Sequence, residues 1–143
     1  MGKILNRNLR MTGGSSIYVN DIVVVDGTGA IGYQTAGAAV TQATNRTTGV
    51  TISTLSGKIT TNNASLAAEA SANFTVTNTL VALGDVVVVS IQSGTNGGNT
   101  AVSVITVAAG SFVIKVSNNN AAGGTAETGA IIINFAVIKA VAA

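Results

Sequence analysis

The segment TAVSVITVAAGSFVIKVS, residues 100–117, decides the fold class of this chain. Every second residue from Phe112 to Val116 lies on one apolar face of an extended chain, and Lys115 lies on the other face. The preceding run is rich in valine, and the link Ala108-Ala109-Gly110 between the two runs is short and contains glycine. Two β-type runs joined in this way predict an antiparallel hairpin.

Three further runs carry β-type patterns. Gly49–Leu55 and Asn73–Thr79 alternate between apolar and polar residues, which predicts strands with one buried face. The residues from Val86 to Val89 are all β-branched, so both faces of this run are apolar. Such a run predicts a strand that is buried on both sides.

The last run, Ile131–Val141, also has two apolar faces. It is therefore expected either in the centre of a sheet or under a neighbouring subunit. We expect one of its faces to form a subunit interface, and that face carries Ile131, Ile133, Phe135 and Val137.

Short strands separated by turn residues at intervals of roughly 8–12 residues predict an all-β domain. Helical composition is limited to Ala36–Gln42 and Ala64–Ala72, and it indicates one short helical turn at most. The prediction is a single antiparallel β-sandwich with a jelly-roll-like arrangement over residues 16–143. Residues 1–15 are expected to form an extended N-terminal arm.

Charged residues are scarce and unevenly placed. They make up 8% of the 143 residues, against about 25% in ordinary globular proteins. The net charge of +2 comes from the arm, where Lys3, Arg7 and Arg10 occur without an acid. A chain with so little charge on its surface is expected to be covered by partners, and the basic arm is expected to dock on one of them.

The sequence predicts no catalytic, cofactor or metal site, and hence no enzyme. Histidine and cysteine are absent, which removes the commonest general base and the commonest soft metal ligands. Gly27–Gly32 has the G-x-G-x-x-G spacing, but the next acid is Glu69 and no helix pattern follows, so a dinucleotide site is not expected. Three basic residues without interleaved aromatics do not predict nucleic-acid binding, and no apolar run is long enough to span a membrane.

Four phrases of the sequence resemble the capsid decoration, or cement, proteins of tailed phages. They are AVTQATNRTTGVTISTLSGKIT (39–60), FTVTNTLVALGDVVVVSIQSGT (74–95), VAAGSFVIKVSN (107–118) and IINFAVIKA (132–140). The similarity extends over about residues 33 to 140, whereas the arm at 1–15 has the least similarity to the family.

The resemblance implies an all-β virion protein, made in the host cytoplasm and carried on the outer capsid surface. It also implies a homotrimer that clamps adjacent subunits of the major capsid protein. On this hypothesis the arm residues Lys3, Arg7 and Arg10 are expected to contact the capsid. A binding module of a different class is the alternative: a fibre or tail adhesin that recognises a host-surface glycan. The location of the chain in the particle separates these two hypotheses.

Overall fold

A computed structural model describes residues 38–96 and 98–140 of the chain. Within these residues it contains eight β-strands and no helix, so the all-β prediction is confirmed. The strands are β1 (Ala39–Thr41), β2 (Val50–Thr51), β3 (Ser56–Thr60), β4 (Ser71–Thr77), β5 (Val86–Ser93), β6 (Thr100–Ala108), β7 (Ser111–Asn118) and β8 (Ile132–Ile138). Over the same residues no helix is long and apolar enough to cross a membrane.

The strands form two four-stranded sheets, which confirms the predicted sandwich. Sheet A has the order β1-β3-β8-β5, and sheet B has the order β2-β4-β7-β6. The central pairs β4–β7 and β3–β8 are antiparallel. Each sheet also has one parallel pair at an edge, β1–β3 or β2–β4, which makes the sheets mixed.

The core lies between the two sheets and follows from the alternation along the strands. In β4 and β7 every second residue is buried, and the residues between them face outward. Phe112 of sheet B and Phe135 of sheet A place their ring centroids 5.5 Å apart with an interplanar angle of 48°. A tilted contact at this distance is a favourable aromatic pair, and it joins the inner faces of the two sheets.

The predicted hairpin is confirmed as the antiparallel pair β6–β7. Gly110 stands at its turn with a φ of 79°, a conformation that side chains with a Cβ adopt at a cost. The turn is also tied to the preceding loop: Asn78 N–H donates to the Gly110 carbonyl, and Gly110 N–H donates to the Val81 carbonyl, both over 2.9 Å. The end of the hairpin therefore lies against the loop that leads into β5.

The prediction for β8 is confirmed, whereas the prediction for β5 is wrong. Strand β8 lies between β3 and β5, in the centre of sheet A. Strand β5 lies at the edge of that sheet, and of its valines Val87 is buried while Val86 and Val88 are exposed. A run that is apolar on both faces was expected to be covered on both sides, yet within the described residues only the inner side of β5 is covered.

Two further predictions concern local structure. Within the described residues, neither segment with helical composition forms a helical turn: residues 39–41 are strand β1, and the turn closed by the hydrogen bond from Ala70 N–H to the Ala67 carbonyl, over 3.1 Å, has Glu69 at a φ of 63°. The arm at 1–15 and the glycine-rich Gly27–Gly32 lie outside the described residues.

Candidate contact surface

The residues predicted for the subunit interface lie in the core of a single chain. Ile131, Ile133, Phe135 and Val137 are at most 3% exposed and point toward sheet B. Their side chains therefore offer no surface to a second subunit, and this prediction is wrong. The alternation had shown correctly that they share a face, but it did not show that this face is the inner one. The predicted capsid-contact residues Lys3, Arg7 and Arg10 lie outside the described residues.

The outward face of sheet A exposes an apolar group of side chains where β8 ends and β5 begins. Val86 pairs with Ile138 across the two strands, and Val88 pairs with Ala136. Val86, Val88 and Ile138 are 57%, 50% and 52% exposed. Opposed residues of an antiparallel pair have Cβ atoms about 4.5–5.5 Å apart, so these side chains form one continuous surface.

The loop that leads into β5 adds two leucines near this group. Leu83 is 78% exposed and Leu80 is 46% exposed. The Leu80 carbonyl accepts a hydrogen bond of 2.8 Å from Lys139 Nζ, which places this loop beside the end of β8. We call the five exposed residues the apolar end of sheet A: Leu80, Leu83, Val86, Val88 and Ile138.

An ion pair between Asp85 and Lys139 fixes the backbone around the apolar end. The Asp85 carboxylate accepts hydrogen bonds from Lys139 Nζ, from Ala82 N–H over 2.8 Å and from Ala140 N–H over 2.9 Å. The hydrogen bond from Lys139, helped by the two backbone donors, lowers the pKa of Asp85 to about 2. The carboxylate is therefore ionised at neutral pH and holds the loop against the residues that follow β8.

At the opposite end of β8 the loops bury polar side chains instead. Arg46 is 3% exposed, and its guanidinium donates to the carbonyls of Ala64, Glu127 and Gly129 and to the Thr61 hydroxyl. Burial lowers the pKa of Arg46, and the nearby Glu127 carboxylate partly offsets this effect. One side chain thus supplies hydrogen bonds to two loops that are distant in the sequence, at residues 61–64 and 127–129.

The Glu127 carboxylate is fully buried and accepts hydrogen bonds from three neighbours. Asn96 N–H donates over 3.2 Å, Gly129 N–H donates over 3.0 Å, and the Thr100 hydroxyl is the third donor. Gly94 makes the approach of these loops possible, since a Cβ at this position would lie 2.0 Å from the Ala130 carbonyl oxygen. We call Arg46, Glu127 and their partners the polar end.

The outward face of sheet B differs from that of sheet A. Asn73, Thr75 and Thr77 of β4 are exposed, and Asn73 pairs with Lys115 of β7. Polar residues on the outer face of an antiparallel sheet are the usual arrangement for a surface in water. Ile105 of β6 is a single large aliphatic residue exposed on the described part of sheet B, at 48%, so the exposed apolar group is a local property of sheet A.

Other places for a ligand offer little chemistry. An open groove of about 550 Å³ on sheet A is lined by Ala39, Gly57, Lys58 and Asn134 among others, with Lys58 its one charged side chain. Over residues 38–96 and 98–140, no three acidic, histidine or cysteine side chains come close enough to hold a metal ion.

Comparisons with protein families, with curated proteins and with solved structures found no match for this chain.

The leucines of the apolar end were not predicted from the sequence, because Leu80 and Leu83 lie between the predicted strands. The signal that could have found them is the run LVALG at 80–84, which is apolar although it connects two strands.

Proposed function

We propose that this chain is a structural protein of a phage virion that decorates and cements the outer capsid surface. In this proposal it acts as a homotrimer and clamps adjacent subunits of the major capsid protein. Two things support the proposal: the four phrases that resemble capsid decoration proteins, and the apolar end of sheet A. The apolar end carries most weight, because it is surface that a single described domain leaves uncovered.

The free energy available at the apolar end suits a protein–protein contact. Covering a large aliphatic side chain contributes about 1.5–3 kcal/mol relative to leaving it in water. Leu83 is the most exposed of the five apolar residues, so burying it against a partner removes the largest apolar area from water. Asp85 and Lys139, which lie next to the apolar end, are paired with each other, so a partner would meet few unpaired charges there.

A decoration protein needs no reaction to stabilise a shell. A protein that binds only the assembled capsid stabilises the assembled state, and this stabilisation grows with its free concentration relative to its Kd. Copies joined in a trimer bind more tightly than separate copies, because the second and third contacts are made at high effective concentration. Moderate contacts at each apolar end are therefore sufficient.

The direct test is to locate the chain in purified phage particles and to measure its binding to heads that lack it. We expect saturable co-sedimentation with heads, and a higher temperature of head disruption when the chain is bound. Absence of the chain from purified particles would contradict the proposal. A chain found in tail fibres would support the adhesin alternative instead.

A second test concerns the basic arm. Deletion of residues 1–14 removes Lys3, Arg7 and Arg10 and leaves the two sheets intact. We expect a weaker, less salt-sensitive attachment to heads with an unchanged unfolding midpoint in urea. Unchanged head occupancy at all salt concentrations would show that the arm does not contact the capsid.

A further inference from the structure

Strand β5 is a long edge strand with little protection against pairing. It lies at one edge of sheet A, and among the described strands none pairs with its free side. The opposite edge of the sheet is β1, which has three residues, whereas β5 has eight. Proteins usually protect long edges with charged residues, prolines, bulges or short strand length. The sequence VVVVSIQS of β5 contains neither a charge nor a proline.

The other long edge strand, β6, is protected in a way that β5 is not. The pairing of β6 with β7 shifts between Val104 and Thr106, in the middle of the strand. The corresponding shift in β5 falls between Ile91 and Ser93, near its end. The stretch from Val86 to Ile91 therefore remains regular and open, and two of its outward side chains belong to the apolar end.

The absence of charge indicates which partner fits this edge. When two identical strands pair antiparallel across a two-fold axis, residues at equal distances from the axis face each other. A charged residue near the axis would therefore lie close to its own copy in the partner strand, and the two like charges would repel each other. Strand β5 carries no charge, and the adjacent Asp85 and Lys139 are already paired with each other. The edge thus carries no charge that would oppose pairing with a second copy of itself.

We propose that β5 pairs antiparallel with β5 of a second copy of this chain, across a two-fold axis centred on Val88. In this register Val88 lies opposite Val88 of the partner subunit, and Val86 lies opposite Ser90 of the partner subunit. Sheet A then continues into its counterpart as one sheet, and the exposed valines of the two copies lie side by side on its outer face. Main-chain hydrogen bonds supply affinity, and the outward side chains fix the register.

The proposed contact does not rest on the capsid function. Being two-fold, it is a different contact from any three-fold contact within a trimer, because a two-fold interface uses the same patch on both copies. In a layer of trimers it would join one trimer to the next.

Disulfide cross-linking tests the contact directly, because the natural chain has no cysteine. Opposed residues near the axis have the Cα separation that a disulfide accepts. Under mild oxidation in dilute solution, Val88→Cys should give mainly a two-chain species on a non-reducing gel, twice the 14.1 kDa of one chain. The matched control is Ile105→Cys on β6, which is 48% exposed and should stay mainly single.

Two further measurements fix the register and the role of the edge. Val86→Cys mixed with Ser90→Cys should cross-link, whereas each alone should do so several-fold less. Val88→Lys should prevent association of copies through β5, whereas Ala101→Lys, at an exposed position of β6, should not. Val88→Cys that cross-links no faster than Ile105→Cys would overturn the proposal, even if the chain still binds heads. Conversely, cross-linking of a chain that never binds heads would support the contact and contradict only the proposed function.

Discussion

The regions at the two ends of β8 differ in which side chains they bury and which they expose. At its start, the loops of the polar end bury Arg46 and Glu127, and no buried side-chain polar atom of the described residues lacks a hydrogen-bond partner. At its finish, the apolar end leaves Leu83, Val86 and Ile138 largely exposed to water. One end therefore buries groups that water would solvate well, and the other exposes groups that water solvates poorly.

This difference separates what the chain needs for folding from what it offers to others. Buried charges are tolerated only when they are paired or hydrogen-bonded, so the polar end is sensitive to change and holds its loops in one arrangement. Exposed aliphatic residues add nothing to the stability of a lone domain, and a contiguous group of them marks an interaction site. The polar end should thus govern stability, and the apolar end should govern association.

The largest expected effect is at the polar end. Replacement of Arg46 by alanine leaves the Glu127 carboxylate buried without its nearby positive charge, and several carbonyls lose their donor. We expect a loss of about 3–5 kcal/mol in the free energy of unfolding, measured in urea. Lys58→Ala, at an exposed position, is the matched control and should change it by less than about 0.5 kcal/mol. A loss below about 1 kcal/mol for Arg46→Ala would show that the polar end does not govern stability.

The second effect is at the apolar end and concerns association. Leu83→Asp places a charge on the most exposed apolar residue, so binding to heads should weaken about tenfold or more, corresponding to at least about 1.4 kcal/mol. The free energy of unfolding should stay within about 0.5 kcal/mol of the natural chain.

Thr75→Asp, on the exposed outer face of sheet B, is the control for Leu83→Asp. It adds the same charge and should change neither head binding nor stability appreciably. Equal losses of head binding for the two variants would show that the apolar end of sheet A is no more important for head binding than the outer face of sheet B.

The smallest effect depends on pH. The folded pKa of Asp85 is about 2, below the ordinary value of 3.8, so folding favours its ionised form. The stabilisation is complete above the unfolded value and is lost as the pH falls from about 4 through about 2. The natural chain should therefore be more stable than Asp85→Asn at pH 6, with the difference shrinking over that range. A difference that stays constant down to pH 2 would mean that the Lys139 pair does not hold the loop of the apolar end.

The sequence predicts the elements of this fold well, because each strand carries its own pattern. The hairpin of β6 and β7, the half-buried β4 and the central position of β8 follow from alternation, turn residues and β-branched content. The parallel pairs at the sheet edges do not follow, because a strand's side-chain pattern does not encode the direction of its neighbour. Element type is thus a local property, whereas pairing is not.

The candidate site was harder to predict than the fold. The interface residues from Ile131 to Val137 were assigned to the wrong side, because alternation alone does not distinguish the inner face from the outer one. The valines of β5 were expected to be buried for a different reason: both faces of the run are apolar, and the sequence does not show whether another layer covers the outer face. The link between Arg46 and Glu127, 81 residues apart, has no local signal at all. Only the three-dimensional arrangement shows which apolar residues remain exposed after the two sheets pack together.

Hydrogen–deuterium exchange on the chain, free and bound to phage heads, tests the central claim most directly. We expect the amides of the loop into β5, around Leu83, to become strongly protected on the heads, while those of β4 on sheet B change little. Protection of β4 with unchanged exchange around Leu83 would contradict the claim that the apolar end of sheet A is the surface this chain uses to contact the capsid.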